Sequence, residues 1–158
     1  MSKLSYENVA TSFTVIITEE MVSAIYKICQ DTYPKETGGI LVGKYSSNLK
    51  SAQVTIVTEA PTDSKGGRTW FHRGTNGLQQ LLDQVWEKKG EFYLGEWHFH
   101  PDGVPIPSIQ DITEMKSISK NKSYSCPEPI LIIAGNPSQN DWKLGVYVFV
   151  GKDILECL

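Results

Sequence analysis

A chain of 158 residues, 40% hydrophobic and 21% charged, suits one domain of ordinary size with a real core, and it excludes a chain disordered by composition. A net charge of -3 and a pI near 5.6 disfavour a nucleic-acid partner, and no apolar run is long enough to span a membrane. The cysteines, Cys29, Cys126 and Cys157, are odd in number and irregular in spacing, with no CxxC pair, which argues against a disulfide framework and a thiolate zinc knuckle.

The expected state of all three cysteines is a free buried thiol. The opening MSKLSYENVATSF lacks the apolar core of a signal peptide, so the expectation is a soluble protein of the reducing cytoplasm. FTVIIT (Phe13–Thr18) alternates and is rich in β-formers, so it predicts a strand. Thr18 is placed to cap the helix EEMVSAIYKICQDTY, where Met21, Ile25 and Ile28 recur at helical spacing and Asp31 and Pro34 mark the exit. Gly38–Tyr45 reads as a buried strand, SSNLKS as a turn and Ala52–Ala60 as another strand.

PTDSKGGRTWFHRG is a polar, glycine-rich loop ending in a short strand at Thr69–His72. TNGLQQLLDQVWEKKG is a helix with Leu78, Leu81, Leu82 and Val85 on one face and Gly90 as its stop. FYLGEWHFH is a strand, and a helix begins at Ser108 and runs to about Lys120, with Lys116, Lys120 and Lys122 on a solvated face. PILIIAG and DWKLGVYVFV are strands split by the turn NPSQN, and KDILECL gives only a weak signal. No repeat or linker interrupts residues 1–158, so they form one domain: a single α/β sandwich on a mixed sheet, too short for a TIM barrel.

The chemistry concentrates in GEWHFHPDGVPIPSIQD, Gly95 to Asp111. Successive strand residues point to opposite faces, so His98 and His100 project the same way and can grip one metal ion. Pro101 ends the strand, Pro105 and Pro107 stiffen the connection, and Asp111 stands one turn into the following helix, where it can fold back as a third ligand. Two histidines, one carboxylate and an open position describe a catalytic zinc site, although non-haem iron accepts the same set. Against this, Ser108 and Asp111 also fit an S-x-x-D capping box, which needs no metal. A hydrolytic site needs a general base as well. Glu96 shares the histidine face by parity, Glu59 closes a strand and Glu36 opens one, and spacing does not choose among them.

These residues resemble the JAMM metalloproteases, the catalytic MPN domains. The signature is H-x-H, seven residues, S, two residues, D, and it falls on His98, His100, Ser108 and Asp111, with Pro101 first of the seven. The upstream Glu36-Thr37-Gly38-Gly39-Ile40-Leu41-Val42-Gly43 matches the glutamate that precedes a G-[ILV]-L-x-G strand in that family. One departure is Phe99, where the family usually has Ser or Thr; parity turns it away from the ligands.

The resemblance spans about Phe13 to Val150. It implies a single-domain MPN fold, α/β, with a mixed, mostly antiparallel sheet curled around and flanked by helices. It implies one zinc ion per chain on His98, His100 and Asp111, Glu36 as general base and proton donor, and Ser108 as donor to the oxyanion. GEWHFHP, PSIQD and CPEPILIIAG look most like the small bacterial members that serve as deconjugating peptidases in CBASS anti-phage operons.

Such an enzyme hydrolyses the amide after the C-terminus of a CD-NTase-type or ubiquitin-like protein joined to a target. A deubiquitinase-like protease of another bacterial operon, a non-catalytic MPN scaffold and a RadC-like hydrolase are the competing readings. The segment Ser64–Gly74, with Arg68 and Trp70, stands where the family carries a variable insertion and is the expected wall of a substrate groove. Trp97 and Glu96 complete the candidate substrate contacts, Glu96 also as a neighbour of a histidine ligand. His72 and Cys126 are weak further ligand candidates.

Overall fold

The structure, a computed structural model, describes residues 2–158. In chain order the elements are β1 (Lys3–Glu7), β2 (Thr14–Thr18), α1 (Glu19–Thr32), β3 (Gly38–Tyr45), β4 (Ser51–Val57), β5 (Lys65–Gly66), β6 (Phe71–His72), α2 (Leu78–Lys89), β7 (Phe92–His100), α3 (Ile109–Lys120), β8 (Ile130–Gly135), β9 (Lys143–Val150) and β10 (Asp153–Cys157). Eight strands form one sheet in the order β1-β2-β4-β3-β7-β8-β9-β10, and β5 and β6 make a separate small hairpin. Only the β2–β4 and β7–β8 pairs are parallel. Glu7 and Leu158 exchange two backbone hydrogen bonds of 2.9 Å, so the sheet curls until its first and last strands meet. The mixed, mostly antiparallel, curled α/β sheet agrees with the expectation.

Both faces are covered, which explains the continuous apolar runs of β3 and β8. One face packs Val15, Ile17, Leu41, Trp97, Phe99 and Ile132 against Ile25 and Cys29 of α1. The other packs Ile40, Val42, Leu131 and Ile133 against Val85 of α2 and Met115 and Ile118 of α3. Parallel strands cannot be joined by a tight turn, so β7 and β8 need a crossover, and α3 supplies it. The three cysteines are free and buried. No helix among the described residues is long and apolar enough to cross a membrane.

Alternation along β7 is broken once. Leu41 pairs with Gly95 and Val42 with Tyr93, leaving Leu94 as the extra residue of a β-bulge. A side chain at position 95 would run into the Ile130 carbonyl, which accounts for the glycine there. Leu94, Trp97 and Phe99 enter the α1 core, while Tyr93 enters the opposite one. Phe99 is fully buried and lies against Trp142, ring centroids 5.6 Å apart. Burying a side chain of that size stabilises by about 1.5–3 kcal/mol, so the departure from Ser or Thr adds packing behind the site and leaves the histidine face alone.

Two strands escaped the sequence reading. β1, KLSYE, is short and half exposed, and its partner β2 supplies the order. β5 is two residues long and exists through β6.

Candidate functional site

The site lies where β7 ends and α3 begins. Pairing with β3 and β8 holds the His98 backbone from both sides, opposite Gly38 and Ile133. Beyond His100 the chain turns back through residues 101–107, and this connection is fastened as well as stiffened. Asn136 accepts a hydrogen bond from the Asp102 amide at 2.7 Å, Tyr33 donates to the Asp102 carboxylate, and Tyr147 donates to the Pro105 carbonyl at 2.7 Å.

Ser108 caps α3. Its hydroxyl oxygen accepts from the Asp111 amide, and its own amide donates to Asp111 Oδ2, the reciprocal pattern of a capping box. The same Asp111 carboxylate meets both histidines, with Oδ1 2.9 Å from His98 Nδ1 and Oδ2 3.0 Å from His100 Nε2. The capped helix and the converging triad are therefore one structure. Burial opposes ionisation of Asp111, yet the hydrogen bonds from His100 and His98 hold its carboxyl well below the usual range.

The donor set fits a metal ion by its chemistry. Among the described residues no group of three His, Cys, Asp or Glu side chains is arranged as it would be around a metal ion; Asp111 instead hydrogen-bonds each histidine directly. Two observations make the cluster more than a hydrogen-bonded knot. His98 Nε2 is buried without any partner, which is costly unless something accepts or binds it. His100 Nδ1 lies 3.2 Å from the Val104 carbonyl, the type of contact that keeps the ring proton on Nδ1 and presents a ligand lone pair at Nε2, the atom that meets Asp111.

Glu36 comes from the entry to the neighbouring strand. Its backbone leads into β3, where the Thr37 carbonyl accepts from the Phe99 amide at 2.9 Å. Burial raises its carboxyl above the ordinary value, the charge of Asp111 adds to the rise, and His100 and His98 counter it. Gly38 pairs with His98 and the Thr37 carbonyl with the Phe99 amide, so the Glu36 backbone runs beside the histidine end of β7. The hairpin β5–β6 holds it there: the Glu36 amide donates to the Gly67 carbonyl at 2.7 Å, and a side chain at Gly66 would crowd the Glu36 carbonyl. Phe71, from the same hairpin, stands edge-on to the His98 ring at 5.9 Å.

Of the rival glutamates, Glu59 is exposed beyond the end of β4. Glu96 is corrected as a substrate contact. It does face the histidine side of β7 but is fully buried, its carboxylate taken by Arg73 Nε at 2.5 Å and by the Tyr93 hydroxyl at 2.5 Å. Trp97 is corrected too: it is fully buried in the α1 core, with Nε1 donating to the Thr58 carbonyl. Arg68 and Trp70 remain exposed on the hairpin tip, Trp70 lying across Gly67. His72 is exposed, and the buried Cys126 thiol points to the Leu94 carbonyl, so neither joins the cluster. Sequence reasoning missed Phe71, in a strand too short to show a pattern, and Arg73, in the loop just after it.

A histidine pair at a strand end, closed upon by the aspartate of a crossover helix, defines a JAB-type domain. The chain belongs to the family of prokaryotic homologues of the JAB domain, whose model matches residues 18–145. Its relatives include a protein of Enterobacter hormaechei subsp. hoffmannii (strain UCI 50) named CD-NTase/cGAS isopeptidase, 40% identical over 152 residues, which cover 93% of this chain and 84% of that protein. A protein of the same name from Escherichia coli (strain TW11681) is 33% identical over 101 residues, 62% of this chain and 64% of that one. In fold, the chain matches the solution structure of a Desulfitobacterium hafniense protein with a TM-score of 0.62, at 17% identity, over 89% of this chain and 87% of the other.

Proposed function

We propose that this protein is a zinc-dependent isopeptidase of the bacterial cytoplasm that acts in anti-phage defence. Its substrate is a protein conjugate, in which the C-terminus of a CD-NTase-type protein is joined through an amide to a target. The observation that carries the reading is the converging His98–His100–Asp111 cluster at the end of β7, with the half-buried Glu36 entering β3 beside it. The names of the isopeptidase relatives support the substrate class.

His98, His100 and Asp111 would hold the ion. When bound, zinc supplies a Lewis acid that polarises an amide carbonyl and makes water acidic enough to attack near neutral pH. Glu36 takes the proton of the attacking water and passes it to the leaving amine. The Ser108 hydroxyl spends only its oxygen on the helix cap, so its proton is available to the carbonyl oxygen as negative charge develops there. Arg68 and Trp70 form one wall for the extended tail of the substrate. The products are a carboxylate and a free amine.

The test is incubation with a CD-NTase-type protein conjugated through its C-terminus to a lysine. Release of the free C-terminus, abolished by phenanthroline and restored by zinc, is the expected result. Cleavage that persists after complete metal removal would sink the zinc reading. Cleavage of ubiquitin-like conjugates alone would assign the site to the alternative substrate class.

A further inference from the structure

Arg73 directly follows β6, in the segment that leads to α2, and its guanidinium is buried. Nε donates to Glu96, Nη1 to the Gly74 carbonyl at 2.7 Å and Nη2 to the Tyr124 hydroxyl at 2.6 Å. A second lock closes the neck of the loop outside: Ser64 accepts from the Gly74 amide, and Asp63 accepts from the amides of Thr75 and Asn76. That outer lock joins the loop only to itself. Arg73 is the charged tie from the loop to the sheet, and it lands on the strand residue two before His98. Phe71, two residues before Arg73, meets the His98 ring, and Gly67 holds the Glu36 amide.

We infer that Arg73 is a positioning residue: through its buried pair with Glu96 it seats the β5–β6 hairpin, and the hairpin in turn holds Glu36 and His98 in working register. The inference rests on the isopeptidase reading for its effect on rate, but its geometric part stands without it. A misplacement of about 1 Å at a reacting group can cost on the order of 10²-fold in rate, so a loosened hairpin should be felt in kcat.

Removing Arg73 alone strands a buried carboxylate and risks unfolding, so the decisive variant is the neutral double Arg73→Met/Glu96→Gln, which keeps an acceptor for Tyr93. Two readouts are taken on the full chain: hydrogen exchange at the Glu36 and Gly67 amides, and kcat on the conjugate. The double variant is expected to melt as a folded protein with unchanged exchange in the β7–β8 ladder. Exchange at Glu36 and Gly67 should quicken by about tenfold or more, and kcat should fall by roughly 10–10²-fold. Arg73→Lys, which retains a charge opposite Glu96, should recover part of both.

Wild-type exchange in a folded double variant overturns the inference, whatever the rate. So does quickened exchange with wild-type kcat. If the wild-type protein cleaves no conjugate, the functional reading falls, while the exchange result still decides whether Arg73 seats the hairpin.

Discussion

The two halves of the site are built in opposite ways. His98, His100, Ser108 and Asp111 lie within fourteen residues of one another, and a strand, three prolines and a helix cap bring them together, with Tyr33, Asn136 and Tyr147 fastening the connection. Glu36 stands more than sixty residues upstream, and its seat is assembled from a hairpin, the entry to β3 and a buried ion pair. Local chain order sets out the first half and tertiary contacts fasten it, whereas the second half exists through tertiary contact alone. The triad should therefore survive perturbations that detach the base.

The sharpest division comes from Glu36→Ala. It removes the proposed proton carrier and leaves the triad intact, so zinc content and melting temperature should match wild type while kcat drops by ~10²–10⁴-fold. Retained turnover in that variant would shift the base to another group. Next in size is Arg73→Met alone. Leaving Glu96 buried and unpaired should destabilise by about 3–5 kcal/mol in chemical denaturation; a loss below about 1 kcal/mol would mean that the pair is solvated in solution.

Ser108→Ala tests the local half. Loss of the cap should cost about 1 kcal/mol of stability, and loss of the oxyanion donor should lower kcat at unchanged zinc content by up to ~10²-fold. An effect on stability without one on kcat would leave Ser108 as a cap only. The smallest effect is expected from Trp70→Ala at the exposed hairpin tip: a rise in KM of roughly tenfold or less, with kcat held, since it removes about 1–2 kcal/mol of contact to the substrate tail. Unchanged kinetics would remove the tip from the substrate groove.

The same division governs what could be read from the sequence. α1, β3, β7 and α3 were legible because each carries its own signal: Thr18 and Ser108 as caps, apolar periodicity, and alternation around His98 and His100. Glu96 and Glu36 could not be ranked by spacing. Parity correctly put Glu96 on the histidine face, but what disqualifies it is Arg73, a loop residue whose partner lies 23 positions away. Trp97 looked available from its place beside His98, and the burial of its face against α1 comes from packing that no local pattern encodes. β10, weak as KDILECL, is ordered by five pairs with β9.

The bulge at Leu94 has a consequence for the logic of β7. A strand is a two-beat rhythm, and one extra residue shifts the phase of everything after it. Residues before the bulge and after it are out of step, which is how Tyr93 and Glu96, three apart, meet on one face and share a hydrogen bond. Deleting Leu94 would put the strand back in step by force. Either Tyr93 would swap sides, or the whole run from Glu96 to His100 would, sending imidazoles into the α1 core and the Trp97 indole to the face of the site. One leucine, remote from any chemistry, keeps two incompatible surfaces in time with each other.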